Sequence, residues 1–318
     1  MHMAEIRGLL SVVVPCYNEQ DVLERTHARL LSAVSTINMD IELIYVDDGS
    51  TDRTAEILRR IAGADNRVRA VRFSRNFGHQ IAVSAGIDYA TGDAVAVMDA
   101  DLQDPPELLA EMLGHWRAGS AVVYGRRVKR LGEPLFKRVC TRLFYRLLNM
   151  LSEIKIPLDS GDFRLMDRKV ADILRHMPEH DRYVRGMVSW VGFRQTEVRY
   201  TRDPRAAGKT HYPFSKMAGL AINGLLSFAP VPSRLMFWFG ALVTVGSFVG
   251  LLCALFVPLA AGGRVSGSAL LLLTLLFVSG VQLTFLGVMA QYLGRTYLET
   301  KRRPLYIVAE VLGKSMTR

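Results

Sequence analysis

In the stretch VAVMDADLQDPPE, residues 95–107, an apolar run of strand character ends in Asp99, Asp101 and Asp104, with two prolines close behind. Successive strand residues point to opposite faces, so Asp99 and Asp101, two apart, are expected to project the same way as the strand ends. Asp104 is placed to cap the next helix, with Pro105 or Pro106 in the first turn, where a missing N–H costs nothing. Two carboxylates side by side repel unless a positive charge is shared between them. A hard divalent cation with oxygen ligands, carried in by a diphosphate, is the natural counter-charge, and Gln103 adds a neutral oxygen. Asp-x-Asp alone is a modest signal; a second acidic turn, Asp47 and Asp48, strengthens it.

These residues need elements that bring them together. The strand-like runs LLSVVVP, IELIYV, VRAVRF, AVAVMD and AVVYG alternate with helical patterns at 21–34, 53–61, 80–89 and 106–116. Near-continuous apolar strands alternating with helices predict an α/β fold, a mostly parallel Rossmann-like sheet covered on both faces. Ligands collect at the carboxyl ends of such strands, which places PCYNE, DDGS, DADLQ and GRR along one rim.

Several function classes lose their warrant. No Gly-x-Gly-x-x-Gly is present, so the dinucleotide fingerprint is missing. Gly208, Lys209 and Thr210 imitate the end of a P-loop, but Asp203 stands where its first glycine belongs and no apolar strand leads in. The three cysteines, Cys16, Cys140 and Cys253, are scattered and lack metal spacing, which argues against a disulfide framework or a zinc site. The opening MHMAEIRGLL is too short in apolar length for a secretory signal, so the catalytic part is expected in the cytosol.

Residues 235–260 and 265–294 carry no charge, and each run exceeds the roughly 20 residues that cross a bilayer as a helix. Two spans are expected, at about 235–260 and 269–293, joined by the short AGGRVSG link. Arg202, Arg205, Lys209, Lys216 and Arg234 precede them, and Arg295, Lys301, Arg302 and Arg303 follow, so both flanks are expected to be cytoplasmic. Much of the formal charge of +10 is thereby a membrane-facing collar rather than a nucleic-acid surface. Residues 211–234 repeat apolar side chains at helical spacing; they either lie in the headgroup layer or pack on the domain's own core.

In order along the chain, VVVPCYNE, VDDGSTDRT, DADLQDPPE, SGDFRLMDR and RAAGKTHY, followed by two apolar segments, resemble the family 2 glycosyltransferases that load a sugar onto a polyprenyl phosphate. The likeness is to bactoprenol glucosyltransferases, with dolichol-phosphate mannosyltransferases and the aminoarabinose transferases of lipid A modification as relatives. It implies a GT-A domain over 1–210, juxtamembrane helices over 211–234, a transmembrane hairpin over 235–294 and a basic cytoplasmic tail over 295–318. It further implies a nucleotide-diphosphate sugar donor with UDP-glucose favoured, Mg2+ or Mn2+, and inversion at the anomeric carbon. Undecaprenyl phosphate is the implied acceptor, a homo-oligomer such as a tetramer the implied assembly, and the inner membrane the implied location. The pathways it suggests are O-antigen decoration of lipopolysaccharide or lipid A modification.

Carried over residue by residue, the resemblance puts Pro15, Tyr17, Glu19, Val46 and Asp48 around the nucleoside. Asp99, Ala100, Asp101 and Gln103 fall at the sugar diphosphate and its metal, and Arg127, Arg205 and Lys209 at phosphates. His211 stands where the family often has lysine, and Lys209 substitutes for it. Asp162 is a base or a positioning residue, or caps the turn before FRLMDR; His79 and His180 read as ordinary core or surface histidines. A processive synthase would carry Gln-x-x-Arg-Trp and more spans, and a degenerate scaffold would have lost its rim acids; neither pattern holds.

Overall fold

The computed structural model describes residues 8–129, 160–201 and 267–313. Four apolar runs form the parallel strands β1 (Leu9–Cys16), β2 (Asp40–Asp47), β3 (Val68–Phe73) and β4 (Ala94–Val97). Between them lie α1 (Leu23–Val34), α2 (Thr54–Ala64) and α3 (His79–Tyr89). A short 3-10 turn, Pro106–Leu108, leads into α4 (Leu109–Arg117) and β5 (Val122–Lys129). Then follow β6 (Ser160–Asp167), α5 (Arg168–His176), α6 (Val184–Trp190), β7 (Gln195–Thr201), α7 (Gly267–Thr300) and β8 (Val308–Leu312). The sheet order is β7-β5-β6-β4-β1-β2-β3-β8.

The sheet is more mixed than the sequence predicts. Its centre, β4-β1-β2-β3, is parallel, and β5 pairs parallel with β7, but β6 runs antiparallel to β4 and β5, and β8 antiparallel to β3. One face buries Leu10, Val12 and Val14 against α1, α2 and α4. On the other, Gly86 lets α3 lie directly on β1: a Cβ there would fall 2.0 Å from Val13 Cγ1. The helices α5 and α6 pack beside α3 on this face. Both faces are covered, as parallel strands require.

The segment expected as a basic tail supplies β8. Its VAEVL alternates half-buried and exposed residues, the signature of an edge strand, and seals the open side of β3. Glu310 takes a fork from Arg59, at 3.2 Å and 2.7 Å, and Tyr306 stacks on Phe73 with ring centroids 4.9 Å apart. The Tyr306 hydroxyl donates to Asp88 at 2.9 Å. The described residues fall into two compact units, 8–129 and 160–201 with 304–313, and 267–303.

The second unit is α7, a backbone helix of 34 residues that contains the expected second span; the expected first span lies outside the described residues. Among the described residues, no helix is long and apolar enough to cross a membrane, and many side chains of α7 are outside that description.

Candidate active site

Because β1, β2, β4 and β5 share a direction, their carboxyl ends meet on one edge of the sheet. At the end of β1, Tyr17 is 36% exposed, whereas Pro15 is buried in register with Val46 of β2, itself fully buried. Of the three, only Tyr17 offers an exposed side chain to a nucleoside. Asn18 adopts φ +55, a left-handed conformation that asparagine tolerates, and its side-chain oxygen accepts the Thr51 N–H at 2.9 Å. Glu19 donates its N–H to Thr54 Oγ1 at 2.8 Å. The PCYNE and DDGST loops are thus stitched together.

The acidic turn after β2 is largely spent on the loop that follows β3. Asp47 accepts the Ser50 N–H at 2.9 Å and lies 3.4 Å from Arg72 Nε. Gly49, at φ +68, leaves room for the chain at Arg75, whose carbonyl carbon would be 2.3 Å from a Cβ. Asp48 then accepts the Asn76 amide at 2.9 Å and the N–H groups of Phe77 and Gly78 at 2.7 Å and 2.9 Å. Burial raises its pKa above the ordinary value, opposed by those N–H donors. The residue expected at the nucleoside is engaged in shaping this loop.

After β4 the chain turns at Asp99–Gln103. Thr26 of α1 places its hydroxyl 2.6 Å from the Ala100 carbonyl, and Asp101 Oδ1 accepts the Gln103 N–H at 3.1 Å. Between them Leu102, buried, is held at φ +60, a left-handed conformation that leucine rarely adopts. Such strain persists where the surroundings over-determine it, and it collects at binding turns. Asp104 does not cap the following helix: it is fully buried and accepts the Tyr200 hydroxyl of β7. The tyrosine reaches it across the sheet, so this acid anchors the turn to β7. Pro106 does occupy the first helical turn.

Asp162 lies within β6 rather than at a turn. Its Oδ1 accepts Arg185 Nε at 2.8 Å; its Oδ2 accepts Arg185 Nη2 at 2.9 Å and Gln80 Nε2 at 3.2 Å. His79 Nε2 is 3.2 Å from the same Oδ2 and 3.6 Å from Asp99 Oδ1. Despite burial, the Arg185 charge and the His79 contact hold Asp162 well below the usual carboxylate range. Burial works against charge on His79, but the Asp162 contact and the Asp99 charge overcome it and lift its pKa to about 9. Burial, with Asp104, Asp162 and Asp101 nearby and His79 opposing, pushes Asp99 up to about 6.

His79, Gln80 and Arg185 are not signalled by motif. The strand-end rule that places DADLQ on the rim applies equally to SRNFGHQ, which directly follows β3, and would have found the first two. Arg126 and Arg127 lie inside β5 rather than beyond it; Arg126 pairs with Glu197 of β7 at 2.8 Å, and the Arg127 side chain is outside the described residues. Arg205, Lys209 and His211 are also outside them.

Asp99 Oδ1 is a buried oxygen with no hydrogen-bond donor among the described residues. A buried carboxylate oxygen without a hydrogen-bond donor, with the His79 ring nitrogen 3.6 Å away and the Asp101 charge nearby, is an environment that a hard cation satisfies, so Asp99 and Asp101, with Gln103 two residues on, fit Mg2+ or Mn2+. Such ions are commonly held by one or two carboxylates plus substrate phosphates rather than by a protein cage.

A Rossmann-like sheet with a strained Asp-x-Asp turn at its carboxyl edge is the arrangement expected of a GT-A type glycosyltransferase domain. The chain matches glycosyl transferase family 2 over residues 11–174 and belongs to that family, so it is a transferase. It is 48% identical to "Uncharacterized glycosyltransferase YkcC" of Bacillus subtilis, over 95% of this chain and 94% of that one. To the "Bactoprenol glucosyl transferase" of Shigella phage SfX it is 36% identical, over 94% and 98%. Among solved structures, glucosyl-3-phosphoglycerate synthase from Mycobacterium tuberculosis superposes with a TM-score of 0.48 and 24% identity, over 69% of this chain and 79% of that one.

Proposed function

We propose that this chain transfers glucose from UDP-glucose to a polyprenyl phosphate at the cytoplasmic face of a membrane, with inversion at the sugar. The observation that carries the reading is the Asp99–Gln103 turn at the carboxyl edge, where a buried Asp99 oxygen has no hydrogen-bond donor among the described residues. Likeness over nearly the whole chain to a relative named as a bactoprenol glucosyl transferase supports glucose as the sugar and a polyprenyl acceptor.

The acceptor simplifies the chemistry. A phosphate monoester with a second pKa of about 6 is already largely an oxyanion near neutral pH, so no strong general base is needed. Asp162, with both oxygens occupied, is suited to holding its neighbours. A divalent cation bound by Asp99, Asp101 and Gln103 would neutralise the leaving diphosphate. Tyr17 lies at the end of β1, where a nucleoside would sit, and the basic residues around 202–216 suit phosphates. The uncharged runs 235–260 and 265–294 would hold the site near the headgroups and concentrate an insoluble acceptor.

The test is transfer by purified full-length protein from a panel of nucleotide sugars to undecaprenyl phosphate, with and without Mg2+ or Mn2+. UDP-glucose is expected to give the fastest turnover, and Asp101→Ala to lower it at least about 100-fold while the protein stays folded. Wild-type turnover by that variant with divalent cations chelated refutes the site.

A further inference from the structure

Asp162 is held from three elements at once. Arg185, in the first turn of α6, closes on it as a fork at 2.8 Å and 2.9 Å. Gln80, in the first turn of α3, donates to it at 3.2 Å while its own Oε1 accepts the Val184 N–H at 2.9 Å. One amide therefore ties the starts of α3 and α6 to β6. His79, beside Gln80, bridges Asp162 and Asp99 at 3.2 Å and 3.6 Å. The Asp162 and Arg185 side chains are 6% and 21% exposed, so the fork is shielded from water, where geometry counts most. One of these contacts falls on Oδ1 and three on Oδ2, so both carboxylate oxygens are engaged.

We propose that Arg185, with Gln80, is a positioning residue of the transfer reaction, acting through Asp162 to fix His79 against Asp99 at the rim. The inference rests on the transferase reading above. A misplacement of about 1 Å in a reacting constellation costs on the order of 100-fold in rate, so a group that never touches substrate can govern turnover. Lysine supplies the charge of Arg185 but not its planar fork.

The experiment is a double-mutant cycle on the full-length protein with Arg185→Gln, Asp162→Asn and both together, plus Arg185→Lys. Turnover is read as nucleoside diphosphate release, with polyprenyl phosphate and separately with water as acceptor, using the fastest sugar of the panel. Arg185→Gln is expected to lower kcat about 10- to 100-fold with donor KM within about threefold. Arg185→Lys is expected to rescue little of that loss, and in the Asp162→Asn background Arg185→Gln is expected to cost less than about a further threefold. Additive losses, wild-type kcat in Arg185→Gln, or a change confined to KM overturns the proposal. If Arg185→Gln does not fold, Gln80→Met decides in its place: a fall in kcat of about threefold or more at constant KM supports the role, and an unchanged kcat overturns it. Failure of wild type to glycosylate polyprenyl phosphate sinks the acceptor reading alone, since the cycle is then read on hydrolysis.

Discussion

Asp99 shows what a buried carboxylate costs the fold that carries it. In the unfolded chain a carboxyl of this kind titrates near 3.8, whereas burial and neighbouring acids push it up to about 6 here. Between about pH 4 and pH 6 the folded state holds the extra proton, so stability falls as pH rises through that window. Asp99→Asn is expected to remove that slope and, without divalent metal at pH 7, to raise Tm by about 2–6 °C while abolishing transfer. A lower Tm at pH 7 with the wild-type slope intact contradicts this account, and thermal scans across pH decide it. The acids of this turn are legible in the sequence because they sit next to each other at a strand end. His79 is not, since its partners Asp99 and Asp162 are 20 and 83 positions away and only the fold brings them together.

At the scale of elements, the sequence signal follows burial. The strands β1 to β4 are apolar almost throughout because both their faces are covered, and they stand out. Strand β6 is equally buried but carries Asp162, held by Arg185 and Gln80 from other elements, and Arg164, whose guanidinium donates to the Gly161 and Asp162 carbonyls of the strand itself, so no apolar run or clean alternation marks it. Burial brings the Arg164 guanidinium down to about 10, with the Asp162 charge partly offsetting it. Strand β8 is short and follows a long apolar stretch, which hides it. Its hold on the sheet divides unequally: the Arg59–Glu310 fork is open to solvent, whereas Tyr306 lies on the buried ring of Phe73. Tyr306→Ala is expected to lower Tm by about 3–8 °C, and Glu310→Ala to leave it within about 2 °C. Equal losses in the two scans refute that division.

For the whole molecule, β8 constrains topology. The sheet contains residues from both sides of the apolar stretch, β7 before it and β8 after it. A chain that leaves one side of a bilayer and returns to the same sheet must cross an even number of times. The proposed pair of crossings, at 235–260 and 269–293, meets that requirement and would leave the basic flanks on one side. In sealed cells, with the native cysteines replaced, an impermeant thiol reagent is expected to label Arg264→Cys from outside and to reach Glu310→Cys only after lysis. Labelling of both from the same side disproves the hairpin.

Strand β8 is also made later than everything it fastens to. While the ribosome works through the apolar segments, β3 presents a bare edge that other chains could join. If the intervening apolar runs enter a bilayer as proposed, the final strand can dock only once the chain has left and returned on the same side, so closure of the sheet would act as a proofreading step on insertion.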